Sequence, residues 1–275
     1  LFSAIADLRL QSSFGVQTWN SIRALDFLLT VPGVDATRIA VTGASGGGTQ
    51  TMVLSAIDDR VKAAFPCVMV STAMQGGCTC ENACYLRIGQ GNVDIAAASA
   101  PKAFGVTTAD DWTKELQFKG WPDLQKVWKL LGKPTALEAH FNNHFPHNYN
   151  HVSRTQMYGF INTHFGLGFT SPVLERDFPF TPESESTVWS DEHPRPTDMQ
   201  AEAKMLKHWA MDSDRLVREQ PESVRQAWRI IVGRSVPAAS EVSFVTESRL
   251  DKHGYTIERG TVYWNAHQEA GSVSV

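Results

Sequence analysis

Residues 42–49 read TGASGGGT: one serine among four glycines, directly after the apolar run RIAV. Gly43-x-Ser45-x-Gly47 between a strand-like and a helix-like run is the pattern of a nucleophile elbow, a turn that holds a hydroxyl clear of its own backbone. Glycines two residues either side of Ser45 relieve crowding where strand and helix approach, and Gly48 clears further room for their packing. The turn puts Ser45 at a helix N-terminus, where the Gly46 N–H points at a developing oxyanion. The chemistry implied is nucleophilic attack on an acyl carbon. A phosphate-binding loop would need Lys-Ser/Thr after the glycines, and Thr49-Gln50 does not supply it. The dinucleotide fingerprint lacks its two-residue gap before the last glycine.

A serine nucleophile needs a base, and the base needs a carboxylate to orient it. With an elbow serine the chain order is serine, acid, histidine. Asp110 and Asp111 lie at the end of the next strand but one. Neighbours at a strand end point opposite ways, so only one of them can face a histidine. Asp111, one residue deeper into the loop, is preferred, with Asp110 the alternative. Glu81, in the loop after the strand that ends near Ser71, is a third candidate acid. The base comes from HFNNHFPHNYNH, which holds His140, His144, His147 and His151. His140 falls in a strand and His151 leads into a helix. His147 is preferred because Pro146 stiffens the backbone before it and Asn148 can hold the loop by side-chain bonds. His144 is the alternative base.

Four histidines in twelve residues also raise a metal site. Pro146 disallows a helical i, i+4 ligand pair and no carboxylate lies among them, so no metal and no cofactor is expected. Cys78, Cys80 and Cys84 cluster in GGCTCENAC, apart from Cys67. Their spacing lacks the paired C-x2-C of a zinc site, and a local disulfide suits them better.

The elements that must carry these residues follow from periodicity. Residues 14–166 read as helix, strand, helix, strand, helix, strand, helix, the pattern of a mostly parallel sheet with crossover helices. Ligands of such α/β sheets bind at the carboxyl ends of the strands, where all the candidates lie. Ser153 and Gln156 are expected to form a capping box at the start of the last helix, and Gly166 to close it. Three regions are expected: a catalytic region over 1–168, a linker rich in Pro and acidic residues over 169–197, and a segment 198–275 of two helices followed by short strands.

The chain has 275 residues, 42% of them hydrophobic and 20% charged, enough for one large domain or two small ones. A net charge of −4 gives no electrostatic support to nucleic-acid binding. No apolar run approaches the roughly 20 residues that span a bilayer. LFSAIADLRL carries charges inside its apolar stretch and lacks a basic start, so it does not read as a signal peptide. The chain does not begin with Met, and Leu1 is expected not to be the natural start.

RIAVTGASGGGTQT, GGCTCENA, APKAFGVTTADDWT and FPHNYNHVSRTQMY, in this order, resemble a bacterial α/β-hydrolase family described as acetyl-xylan-esterase-like. The resemblance covers about residues 15–167. It implies Ser45 as nucleophile, the aspartate of DWT (Asp111) as acid and the histidine of HNYN (His147) as base. Members are mostly exported, which agrees with a cysteine loop and implies an extracellular or periplasmic setting. The chain departs from the family before the elbow. A complete α/β hydrolase has about four strands there, on the order of 100 residues. Here 44 residues precede Ser45, mostly helix-like. The N-terminal half of the sheet, and the loop that donates a second oxyanion N–H, are missing or supplied elsewhere. The chain is a fragment, another chain or chain segment completes the sheet, or the strands of about 241–275 fold back onto its open edge.

The expected function is a serine carboxylic-ester hydrolase working through an acyl-enzyme on a small-molecule or carbohydrate ester. Trp112, Trp121, Phe145 and Tyr149 are candidates to line its pocket, with plain core packing the other reading. A prolyl-oligopeptidase-like serine peptidase shares fold and triad. A non-catalytic, partner-binding module on the same fold is the alternative from another class.

Overall fold

The computed structural model describes residues 6, 11–72, 81–82, 89–195, 197–198, 200–232, 237–264 and 270–274. Two compact units divide the chain, residues 1–218 and 219–275. Cys78, Cys80 and Cys84, and with them the expected disulfide, lie outside the described residues.

In the first unit helix α1 (Ser13–Leu28) starts where the Ser12 hydroxyl accepts the Gly15 N–H, an N-cap worth about 1 kcal/mol. Strand β1 (Ala40–Ala44) follows, then helix α2 (Gly46–Ile57) and strand β2 (Ala63–Cys67). Helix α3 (Asn92–Ala97) precedes strand β3 (Ala103–Thr108), and helix α4 (Trp121–Leu130) precedes strand β4 (Leu137–Phe141). Helix α5 (His151–Phe165) closes the series. The four strands form one parallel sheet in the order β1-β2-β3-β4.

Both faces of this sheet are covered, which is why its central strands read as apolar runs without polar alternation. On one side Met52 of α2, Ala96 of α3, and Leu124 and Trp128 of α4 pack on Ala64, Phe104 and Val106. On the other, Met157 and Phe160 of α5 pack on Ala63, Phe65 and Cys67. Gly105 makes the second layer possible: a Cβ there would lie 2.3 Å from the Phe65 ring. Truncating Phe65, which is fully buried, would cost about 3–5 kcal/mol. Leu25 of α1 meets Leu54 of α2 in a third cluster with Ile39 and Val61.

Register aligns the carboxyl ends of the strands. Ala44 pairs with Cys67, Cys67 with Thr107, and Thr107 with His140, so these four residues form one row across the sheet. The chain leaves β1, β3 and β4 just beyond that row, at Ser45, Ala109 and Asn142. Among the described residues β1 has a strand neighbour on one side only, so it is an edge strand.

Helix α5 begins differently from the expected capping box. Asn150 is its N-cap and accepts the Ser153 N–H at 3.1 Å. Ser153 therefore sits inside the first turn. Gln156 reaches Asn142, which donates to its side-chain oxygen at 2.8 Å. The amide of Asn150 is short enough to satisfy the open N–H, and that freed Gln156 to tie the helix to the end of β4. Gly166 does close the helix, in the left-handed conformation at φ 60.

After α5 the chain is mostly exposed and irregular, with one short helix α6 (Glu183–Ser186). Glu175 pairs with Arg154 of α5 and accepts from Tyr158 at 2.9 Å. Helix α7 (Ala201–Glu219) follows. The second unit holds helix α8 (Pro221–Val232) and strands β5 (Val242–Lys252), β6 (Tyr255–Trp264) and β7 (Ala270–Ser274). Those strands form their own antiparallel sheet, turning between β5 and β6 at Gly254, whose φ is +87. Among the described residues those strands pair with one another. No described helix is long and apolar enough to cross a membrane.

Candidate active site

Ser45 sits between β1 and α2 with φ 56 and ψ −124. Positive φ is unfavourable for a residue with a Cβ and is held only where the surroundings fix it. Here the Ser45 N–H donates to the Cys67 carbonyl at 3.2 Å, and the Ser45 carbonyl accepts the Thr49 N–H at 3.0 Å. Val68, at φ 46, is the other described non-glycine residue with positive φ, at the end of the adjacent strand. Close approach explains two of the glycines. A Cβ at Gly43 would lie 2.6 Å from the Gly47 carbonyl carbon, and one at Gly48 would lie 2.7 Å from the Met69 Cβ. Gly47 itself has open space where its Cβ would go, so its lack of a side chain is not what the crossing demands.

Ser45 Oγ donates to Glu81 Oε1 at 3.2 Å. Glu81 is buried, with 7% of its surface exposed. The same carboxylate oxygen lies 3.0 Å from where a Gly46 Cβ would be, so the bare Gly46 backbone makes room for it. Gly46 is the first residue of α2, which directs its N–H toward the space before the helix.

Asp111 and His147 come together from the loops after β3 and β4. His147 Nδ1 lies 2.7 Å from Asp111 Oδ2. The other Asp111 oxygen accepts from the Thr113 backbone N–H at 2.7 Å and from the Thr113 hydroxyl at 2.5 Å. The Thr113 hydroxyl oxygen in turn accepts the Ala109 N–H at 3.1 Å. A turn of five residues thus fixes the carboxylate, whose side chain is 8% exposed. With Nδ1 donating to Asp111, the neutral imidazole keeps Nε2 as an acceptor. Trp112 stacks on the His147 ring at 4.9 Å between centroids.

The alternatives are placed elsewhere. Asp110 points outward to the Lys114 ammonium at 2.9 Å, with its side chain 61% exposed. Its backbone N–H donates to the Phe145 carbonyl at 2.7 Å, a tie between the two loops. His144 is exposed and lies against the Phe145 ring, 4.2 Å between centroids. His140, half-buried on β4, pairs with Glu138 at 2.5 Å.

Of the four aromatic candidates, Trp121 meets Phe141 edge-on at 6.0 Å and packs against the main core. Trp112 also touches that core, beside its stack on His147. Tyr149 packs against the cluster of Cys67 and Met157, and its hydroxyl lies 2.5 Å from Thr42 Oγ1. Burial raises the Tyr149 phenol well above its ordinary range and pushes the Cys67 thiol up to about 11. The Tyr149–Thr42 contact is not legible in the sequence: both residues lie in runs that draw attention, but they are 107 positions apart and nothing local pairs them. Among the described residues no group of three His, Cys, Asp or Glu side chains could hold a metal.

The acetyl xylan esterase (AXE1) family model matches residues 17–73, which contain α1, β1, α2 and β2. Among solved structures, Methylesterase BT1017 is similar at 29% identity and a TM-score of 0.53, over 56% of this chain and 36% of that one. A carbohydrate esterase family 15 glucuronoyl esterase from Caldicellulosiruptor kristjansonii aligns at 16% identity and TM-score 0.48, over 62% of this chain and 55% of that one. The glucuronoyl esterase catalytic domain from Hypocrea jecorina aligns at 18% identity and TM-score 0.47, over 67% and 60%. No curated protein sequence matches the chain. The chain spans about a third of the length of the methylesterase. Over residues 13–165 the chain has the α/β-hydrolase fold, and its elbow strand and flanking helices are acetyl-xylan-esterase-like.

Proposed function

We propose that this chain carries the nucleophile, base and acid of a serine carboxylic-ester hydrolase: Ser45, His147 and Asp111. The observation that carries this reading is the strained backbone of Ser45, a residue with a Cβ at φ 56 on the turn from β1 into α2. Backbone strain of this kind clusters at active sites, and a strained serine on a strand-to-helix turn is the form a nucleophile elbow takes. His147 Nε2 takes the Ser45 proton as Oγ attacks the ester carbonyl carbon. The tetrahedral oxyanion accepts the Gly46 N–H at the start of α2. When the intermediate collapses, His147 returns the proton to the leaving alcohol oxygen. Water, deprotonated by His147, then attacks the acyl-enzyme and releases the acid and free Ser45. Asp111 holds the imidazole in the tautomer this needs, through the 2.7 Å bond to Nδ1.

A second reading of the acid has one observation in its favour: Glu81, buried, accepts the hydroxyl of Ser45 itself. The substrate class we propose is an ester of a carbohydrate, acetylated or otherwise, on the similarity to the acetyl xylan esterase family and to a methylesterase. Residues 1–168 would form the catalytic region, 169–197 a connecting segment and 198–275 a separate module. The free edge of β1 would take further strands, from a segment of the same polypeptide or from another chain. That edge is also what supports the competing reading, a partner-binding module without catalysis.

Turnover of p-nitrophenyl acetate, acetylated xylo-oligosaccharides and sugar-acid methyl esters, set beside peptide substrates, tests the proposal. Ester hydrolysis abolished by Ser45→Ala is expected. Peptide cleavage without ester turnover would replace the esterase with a peptidase, and ester turnover that survives Ser45→Ala would remove the nucleophile.

A further inference from the structure

We propose that Tyr149 is a positioning residue, whose hydroxyl ties the loop carrying His147 to the strand carrying Ser45. The proposal rests on the assignment of Ser45 and His147 above. Thr42 Oγ1 donates its single proton to the Phe65 carbonyl at 2.8 Å, because a carbonyl oxygen only accepts. In the 2.5 Å contact between Thr42 Oγ1 and Tyr149 Oη the phenol is therefore the donor. Thr42 stands three residues before Ser45 on β1, and Tyr149 stands two residues after His147. One hydrogen bond thus joins the two chain segments that must hold nucleophile and base in register.

The rest of the loop is tethered elsewhere. Before His147 it is bound to β3 and the turn after it: Thr108 Oγ1 donates to Asn143 Oδ1 at 2.6 Å, and Asp110 N–H to the Phe145 carbonyl at 2.7 Å. Those bonds relate His147 to Asp111, which follows β3. After His147 the loop is bound to α5 through the Tyr149 carbonyl, which accepts from Arg154 Nη1 at 2.6 Å. Tyr149 alone of the loop residues named here reaches β1. It packs against the cluster that contains Cys67, and the Cys67 carbonyl receives the Ser45 N–H. Tyr149 is thus braced at both ends, its hydroxyl on the elbow strand and its backbone carbonyl on Arg154. Thr42 is exposed on β1 while Tyr149 is half-buried, so the bond fixes the half-buried phenol to the surface of the elbow strand.

The test compares rates of Ser45 acylation, by fluorophosphonate labelling and by p-nitrophenyl acetate turnover, in native protein and folded variants. Tyr149→Phe is expected to lower the labelling rate and kcat about 10- to 100-fold, with KM within about twofold of native. Thr42→Val is expected to lose as much, and the double variant no more than either single one. Thr42→Ser, which keeps the acceptor oxygen, restores most of the rate. Native rates in folded Tyr149→Phe would overturn the proposal, as would losses for Tyr149→Phe and Thr42→Val that multiply. Should Tyr149→Phe not fold, the contrast between Thr42→Val and Thr42→Ser decides the question. Failure of native protein to label at Ser45 would instead overturn the assignment of the nucleophile, and this proposal with it.

Discussion

Asp111 Oδ2 lies 2.7 Å from His147 Nδ1, while the adjacent Asp110 turns away to Lys114. Two neighbouring carboxylates at the end of β3 thus have different environments: one is fixed by Thr113 and nearly enclosed, the other is 61% exposed. If Asp111 orients the base, Asp111→Asn leaves the shape but forces the wrong imidazole tautomer, and kcat is expected to fall about 10⁴-fold. Asp110→Asn is expected to stay within about twofold of native, since surface substitutions away from the site change little. Steady-state ester hydrolysis by the two variants checks both.

Glu81 offers the competing arrangement. Its carboxylate accepts from Ser45 Oγ at 3.2 Å, so it touches the nucleophile. With Asp111 as the acid, Glu81→Gln keeps an acceptor for the Ser45 hydroxyl and is expected to cost less than Asp111→Asn by about 10-fold or more. The reverse order in kcat would move the acid from the loop after β3 to the loop after β2.

The elbow glycines separate by what a methyl group would meet. Gly43→Ala drives a Cβ to 2.6 Å from the Gly47 backbone and is expected to cost about 1–3 kcal/mol of stability. Gly47→Ala meets nothing within 4 Å and lies inside α2, where Ala is favoured over Gly by about 0.5–1 kcal/mol. Denaturant unfolding of the two variants is the check, and equal destabilisation would contradict the packing described.

An acid-dependent term comes from the far end of α2. Asp58 is the C-cap of that helix, and the Arg60 guanidinium donates to both its oxygens, at 2.9 and 3.1 Å from Nε. Those bonds hold its carboxyl below its ordinary value of 3.8. A carboxyl with a depressed folded pKa contributes stability that is present above the unfolded value and lost as pH falls through the folded one. Asp58→Asn is therefore expected to lower the thermal midpoint at neutral pH, with the gap from native closing as pH drops below 3.8. A gap that is the same at neutral pH and at about pH 2 would show that charge plays no part.

Much of this arrangement is legible in the sequence, for identifiable reasons. The strands AAFPC and AFGVTT are continuous small or apolar runs because both faces of the sheet are covered. Gly-x-Ser-x-Gly marks a turn that few other requirements produce. The sequence favours Asp111 over Asp110 by its place one residue deeper into the loop and His147 over His144 by the stiffening proline before it, and the structure puts Asp111 and His147 in one hydrogen bond. What the chain hides are contacts made across it. Glu81 and Tyr149 both stand in runs the sequence singles out, but nothing local says that the first meets Ser45, 36 positions away, or the second Thr42, 107 away. The start of α5 differs from its sequence pattern for a related reason. Ser-x-x-Gln fits a capping box at Ser153, yet Asn150 does the capping and Gln156 serves a partner on another element.

The central claim is that Ser45 is an activated nucleophile. Fluorophosphonate treatment of the folded protein, followed by peptide mass analysis, tests it most directly. The account predicts one phosphonyl adduct, on the peptide that contains Ser45, formed quickly in native protein, much more slowly in Asp111→Asn and His147→Ala, and not at all after unfolding. A folded native protein that leaves Ser45 unmodified, or that labels equally well without His147, would contradict it.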